Sequence, residues 1–105
     1  MKTTLVRYRT LPDRASENEA LIHGVFDELR RLAPPGFRYG AFKLADGVSF
    51  VHFAMTDAAE SANSLTGLES FRRFQADLRA RCVDLPVVTE LTTQVDSYGL
   101  GPIRS

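Results

Sequence analysis

The chain has 105 residues, enough for one domain with a real core but too few for a second. A 44% hydrophobic and 25% charged composition is that of an ordinary globular protein and excludes a disordered or collagen-like chain. Lys and Arg number 13 and Asp and Glu number 13, so no global charge draws the protein to nucleic acid or to an anionic membrane. The start, Met1-Lys2-Thr3-Thr4-Leu5, lacks the apolar stretch of a signal peptide, and no run reaches membrane-spanning length. Cys82 is the only cysteine, so neither an internal disulfide nor a thiolate cluster can form, and a reducing cytoplasm is the expected location.

Thr3 to Thr10 reads as a first strand, with Leu5, Val6 and Tyr8 set among threonines and arginines. Leu11-Pro12-Asp13 ends it, and Ser16 with Glu19 has the spacing of a helix capping box. Leu21, Ile22, Val25, Phe26, Leu29 and Leu32 then recur at helical spacing until Pro34-Pro35-Gly36 stops the helix. Phe37 to Leu44 and Val48 to Met55 are two further strands, joined at Asp46-Gly47, a pair suited to a type I′ turn. Thr56 to Thr66 is small and polar and reads as a loop. Leu68, Phe71, Phe74, Gln75 and Leu78 mark a second helix ending near Cys82, and Pro86 precedes a last strand from Val87 to about Ser97. Residues 1–98 thus form one domain and 99–105 a loose tail unless a partner pins it.

The β-α-β-β-α-β order is the split, ferredoxin-like α+β layout, an antiparallel sheet with both helices on one face. Its other face decides what the protein can do. Side chains alternate along a strand, and giving the more apolar set to the helices leaves Val48, Phe50, His52, Val88, Glu90 and Gln94 on the open face. Leu5, Arg7 and Arg9 of the first strand are expected beside them. For the second strand, a two-residue turn brings Tyr39 and Lys43 to His52, while a three-residue turn brings Arg38 and Phe42. Such a patch marks an interface or a ligand groove. At roughly 25 cal/mol per Å² of apolar area, a modest contact between two such sheets holds a homodimer and encloses a partly polar cavity.

Residues 2–98 resemble the dimeric α+β barrel superfamily, particularly its small antibiotic-biosynthesis-monooxygenase-like proteins. The resemblance rests on Val6-Arg7-Tyr8-Arg9, the helix Glu17-Asn18-Glu19-Ala20-Leu21-Ile22, the hairpin from Asp46-Gly47 to His52, and the Leu68-x-x-Phe71-x-x-Phe74 helix. It implies a homodimer joined through the open sheet face, with each last strand reaching across to its partner. It also implies, in some members, oxygenase activity with no metal or flavin cofactor. Haem degradation, known in another branch, does not fit a chain without tryptophan whose helical His23 lies in the first helix.

On this reading His52 is the candidate base or orienting donor, since an imidazole ordinarily titrates near neutrality, and Arg7 is the candidate for holding an enolate or phenolate oxygen. Arg9, Tyr39, Phe50 and Glu90 are candidate ligand-binding residues. Each has a plainer role: a hydrogen-bonded interface histidine, an Arg–Glu bridge across neighbouring strands, aromatic packing. His23 and Cys82 join no cluster, so no metal site is expected. An RNA-recognition motif shares the topology, and Gly47, Phe50, Val51 and Phe53 match its signature strand. Asp46 and Val48 replace its basic and stacking positions, and no nucleic-acid partner is expected. Two functions fit: a cofactor-independent monooxygenase acting on a small aromatic or quinol-like compound, and a non-enzymatic dimer that binds a small ligand or a protein.

Overall fold

A computed structural model describes residues 2–57 and 64–99. The expected tail, 99–105, lies outside these residues except for Gly99, as does the middle of the expected loop. The first strand, β1 (Lys2–Thr10), is followed by a single 3-10 turn (Pro12–Arg14) and helix α1 (Ala15–Leu32). Strands β2 (Phe37–Lys43) and β3 (Ser49–Thr56) form a hairpin, and helix α2 (Glu69–Ala76), a short α3 (Leu78–Arg81) and strand β4 (Cys82–Glu90) complete the chain. The four strands make one antiparallel sheet in the order β2-β3-β1-β4. The fold is the expected ferredoxin-like α+β arrangement.

α1 starts one residue ahead of the expected capping box. Pro12 opens a 3-10 turn that runs straight into the helix, so Ser16 lies inside it, and Arg14 takes the N-cap position without a capping bond from its side chain. Glu19 bonds Lys43 of β2 instead, at 2.8 Å. The helix ends where Ala33 takes a left-handed conformation (φ 47°) and donates its N–H to the Leu29 carbonyl. Glu28 of α1 then anchors α2, accepting hydrogen bonds from the Ser70 N–H at 3.0 Å and the Ser70 hydroxyl at 2.5 Å.

The β2–β3 hairpin is not a two-residue turn. Leu44 and Ser49 close the ladder, so four residues, 45–48, make the loop. Of these only Gly47 has positive φ, at 79°, whereas a type I′ turn needs two such residues. The Asp46 carboxylate takes up the slack, accepting bonds from the Val48 and Ser49 N–H groups and the Ser49 hydroxyl, which together hold its pKa below the usual carboxylate value. Four and two are both even, so the side-chain parity is that of the shorter turn, and Tyr39 shares a face with His52.

The last strand also differs from expectation. It begins at Cys82, passes through Pro86 and stops at Glu90, and its register against β1 slips between the Arg7–Val87 and Arg9–Asp84 pairs. Proline is tolerated there because β4 is an edge strand and the slip frees that position from the ladder. The last ladder pair is Thr4–Glu90; Leu91 still donates to the Thr3 carbonyl, and among the described residues no strand continues the pairing beyond it. Residues 91–97 carry no regular structure, and Val95 and Tyr98 are fully or almost fully exposed.

The largest correction concerns the two sheet faces. Tyr8 and Phe50 stand opposite each other and stack at 5.5 Å, and both are buried under the helices with Ile22, Val25, Leu29, Phe71 and Phe74. Val48, Phe50, His52, Val88 and Glu90 therefore do not belong to the open face. Strand-pair register puts Val51 and Phe53 of β3 and Val87 and Thr89 of β4 there, with Leu5, Arg7, Gly40 and Phe42. The two sets of β3 differ little in apolarity, and the polarity of His52 misled the assignment. Its ring is buried because both of its nitrogens find partners.

Candidate functional site

His52 sits at the centre of the sheet, on β3, between β1 and β2. The residues opposite it, Val6 and Ala41, are small enough to leave its ring room, while Tyr8 and Tyr39 reach it diagonally from the two flanking strands. Tyr8 Oη lies 2.8 Å from Nε2 and Tyr39 Oη 2.7 Å from Nδ1, so both ring nitrogens are engaged. Phe74 of α2 covers the ring at a centroid distance of 5.6 Å.

The network continues behind Tyr8. Asn18 of α1 donates its amide N–H to Tyr8 Oη at 2.9 Å, and Arg81 of α3 donates its Nε–H to the Asn18 carbonyl oxygen at 3.1 Å. Arg81 also donates to the Phe74 backbone carbonyl at 2.7 Å, and its guanidinium lies 5.3 Å from the Phe74 ring centroid. Asn18 and Arg81 are fully buried, His52 is 4% exposed, and Arg81 Nη1 is buried without a hydrogen-bond partner.

Burial sets the protonation states. It pushes His52 down from 6.5 to about 4, so the imidazole is neutral at physiological pH. It pushes both tyrosine hydroxyls up, so they remain protonated, although the Asn18 hydrogen bond acts the other way on Tyr8. It also lowers the Arg81 pKa, with Glu17 opposing, but from so high a start that the guanidinium stays charged.

The tyrosine–histidine group forms one wall of a cavity of about 470 Å³ between the sheet and α2. Phe37, Leu65, Phe71, Phe74 and Leu78 make the lining mainly apolar, and Val88 and Pro86 of the edge strand stand at one side. The ionisable residues of its lining, besides Tyr8, Tyr39 and His52, are Lys2 and Arg79, and no carboxylate takes part among the described residues. A small, mainly apolar molecule that can bond a hydroxyl group suits such a space.

The expected site residues separate into two groups. His52 and Tyr39 come together on the cavity wall, with Phe50 stacked beneath Tyr8 in the core. Arg7 and Arg9 lie on the opposite side of the sheet. Arg9 pairs with Asp84 at 3.0 Å rather than with Glu90, which is exposed near the end of β4. Arg7 and His52 therefore cannot act on one small molecule within a single chain. His23 is a surface residue, 3.8 Å from Glu19. Cys82 lies half-buried at the start of β4, its thiol pKa raised by burial. Among the described residues, no three His, Cys, Asp or Glu side chains gather as a metal site, and no helix is long and apolar enough to cross a membrane.

Asn18 and Arg81 are network members that the sequence reading does not single out. A signal was present. Asn18 falls on the α1 stripe with Ile22, Val25 and Leu29, and Arg81 falls on the α2–α3 stripe with Phe71, Phe74 and Leu78. A polar residue in step with an apolar stripe is buried and therefore needs partners.

No protein-family model and no curated protein matches the sequence. Solved structures do match its shape. Rv0793 from Mycobacterium tuberculosis superposes with a TM-score of 0.75 at 21% identity, over 92% of this chain and 98% of that one. A structure described as an antibiotic biosynthesis monooxygenase gives 0.73 at 14% identity, over 90% and 99% of the two chains. SnoaB, a cofactor-independent oxygenase from Streptomyces nogalater, gives 0.63 at 17% identity, over 91% and 97%. The chain therefore shares the fold of these solved structures, one antiparallel four-stranded sheet with its helices on one face.

Proposed function

We propose that the protein is a cofactor-independent monooxygenase that oxidises a small aromatic, quinol-like compound in the cavity between sheet and helices. The observation that carries this reading is His52, neutral and buried, held between two tyrosine hydroxyls at the end of an apolar pocket. The likeness in fold to SnoaB, itself a cofactor-independent oxygenase, supports it. The reaction balances without an external reductant: a quinol and O2 give a hydroxyquinone and water, all four electrons coming from the substrate. The substrate ring would rest against Phe71 and Phe74 with its hydroxyl at Tyr39. The Tyr39 hydroxyl, held in place by His52, would orient that hydroxyl and donate to its oxygen as it ionises. The apolar walls exclude water from the electron-rich ring while O2 attacks it.

We further propose that two copies associate through the open face. Phe42 and Val87 are more than half exposed there, beside Val51 and Phe53, and the irregular stretch 91–98 offers the Leu91 and Val95 side chains for a second chain to cover. Arg7 and Arg9 belong to this surface.

The test is oxygen uptake with a panel of naphthohydroquinones under ¹⁸O2, with mass spectrometry of the product. Uptake above the protein-free rate, one labelled oxygen in the hydroxyquinone, and loss of both in folded His52→Gln support the oxygenase. No uptake above background with any member of the panel overturns it in favour of a ligand-binding dimer.

A further inference from the structure

The hydrogen bonds around His52 can be given a direction by counting donors. Arginine only donates, so the Arg81 Nε–H fixes the Asn18 amide with its oxygen toward Arg81 and its NH2 toward Tyr8. Tyr8 Oη is thereby an acceptor from Asn18. The neutral His52 ring has one N–H for two tyrosine neighbours. Were that proton on Nε2, Tyr8 Oη would accept twice and its own O–H would be left without a partner at a site only 2% exposed. An unmade bond of that kind costs about 1–3 kcal/mol. With the proton on Nδ1, Tyr8 donates to Nε2 and His52 donates to Tyr39. The one O–H left over then belongs to Tyr39, the more exposed of the two tyrosines in the cavity lining, where it can meet a ligand.

We propose that Arg81, Asn18, Tyr8, His52 and Tyr39 form a one-way hydrogen-bond relay that presents the Tyr39 hydroxyl to the cavity as the donor for an aromatic oxyanion, a phenolate or enolate oxygen. Its links measure 3.1, 2.9, 2.8 and 2.7 Å from Arg81 to Tyr39. Each bond polarises the next in a low-dielectric interior, so a cation at the far end strengthens the final donor. Arg81 is such a cation. It is fully buried, makes no salt bridge among the described residues, and keeps one nitrogen without a partner. Glu17, itself paired with Arg14, offsets this charge without forming an ion pair with it, and an anion in the cavity offsets it further. The basic rim of Lys2 and Arg79, with no carboxylate in the described lining, selects the same sign of ligand. Tyr39 touches the ligand, while His52, Tyr8, Asn18 and Arg81 are positioning residues.

The inference rests on the ligand site proposed above but not on its oxygen chemistry, and two measurements keep them apart. The first is the His52 tautomer in the unliganded protein, read from ¹⁵N NMR of the ring nitrogens. The relay predicts the proton on Nδ1, and a redistribution toward Nε2 in Asn18→Asp, where a carboxylate oxygen can accept the Tyr8 O–H and free Tyr8 to accept from His52. A proton on Nε2 in the unaltered protein overturns the relay whatever the protein catalyses. The second uses 4-nitrophenol, whose absorbance distinguishes phenol from phenolate. The bound probe is expected to be more ionised than the free probe at the same pH. Tyr39→Phe should weaken phenolate binding about tenfold or more, the worth of one hydrogen bond to a charged group. Phenolate affinity equal in both proteins overturns the proposal. Tyr39-dependent phenolate binding without any quinol oxidation leaves the relay standing and removes the oxygenase.

Discussion

Tyr39 Oη lies 2.7 Å from Nδ1 of His52, a contact between neighbouring strands that joins the buried polar network to the cavity. Tyr8 makes the matching contact on the other ring nitrogen but is enclosed by Phe50, Phe74 and Asn18. The two tyrosines should therefore respond differently to loss of the hydroxyl. Tyr8→Phe strands both the Asn18 N–H and a His52 nitrogen and should cost about 3 kcal/mol in urea unfolding, against about 1 kcal/mol for Tyr39→Phe. Equal losses would contradict this division between an enclosed and an accessible hydroxyl.

Acid should destabilise the fold before its carboxylates titrate. His52 has a pKa of about 4 in the folded protein against 6.5 when unfolded, so between these values the unfolded state binds more protons. Stability contributed by the neutral ring is complete above pH 6.5 and is lost as pH falls toward 4. The loss from pH 7.5 to pH 5 should be about 2 kcal/mol, and urea unfolding at the two pH values measures it. Glu17, Glu19, Glu28 and Asp46 have depressed pKa values, so their contributions persist to lower pH and leave this window to the histidine. In His52→Gln the loss over this window should shrink. A wild-type stability flat from pH 7.5 to pH 5 would contradict a buried neutral ring.

Asn18 and Arg81 should behave as one unit. Asn18→Leu alone leaves a buried guanidinium without one of its acceptors, whereas removing both partners removes the unmet group as well. The double variant Asn18→Leu with Arg81→Met should be less destabilised than the sum of the singles, with a coupling of about 1 kcal/mol or more. Additive effects would show that the contact contributes little.

The order of the elements and the apolar stripes of the helices were legible because each rests on a local period: two for strands and 3.6 for helices. The face of β3 was not legible from its own residues, since Val48-Phe50-His52 and Ser49-Val51-Phe53 are nearly matched in apolarity. What decides between them is pairing across strands, the stack of Tyr8 on Phe50 and the two tyrosines on His52. Such partners lie as many as 44 residues apart, so no local window contains them. The end of β4 failed for a related reason. The alternation of Val87 to Val95 continues past Glu90, but the ladder to β1 does not.

A charge on the open sheet face should separate the copies without touching the cavity. Val51→Glu lies across the sheet from His52 and should convert a dimer of twice 11.7 kDa into an 11.7 kDa monomer by light scattering. An unaltered protein that is monomeric at every concentration would remove the association proposed for this face.

The most direct test of the account asks where an aromatic molecule binds. Amide and aromatic NMR shifts would be followed while 1,4-dihydroxynaphthalene is added to the protein without oxygen. The account predicts shifts centred on Tyr39, His52, Phe71 and Phe74, the wall of the cavity between sheet and helices. Shifts centred instead on Leu5, Val51 and Phe53, or none at saturating ligand, would contradict it and return the open face to the role of binding site.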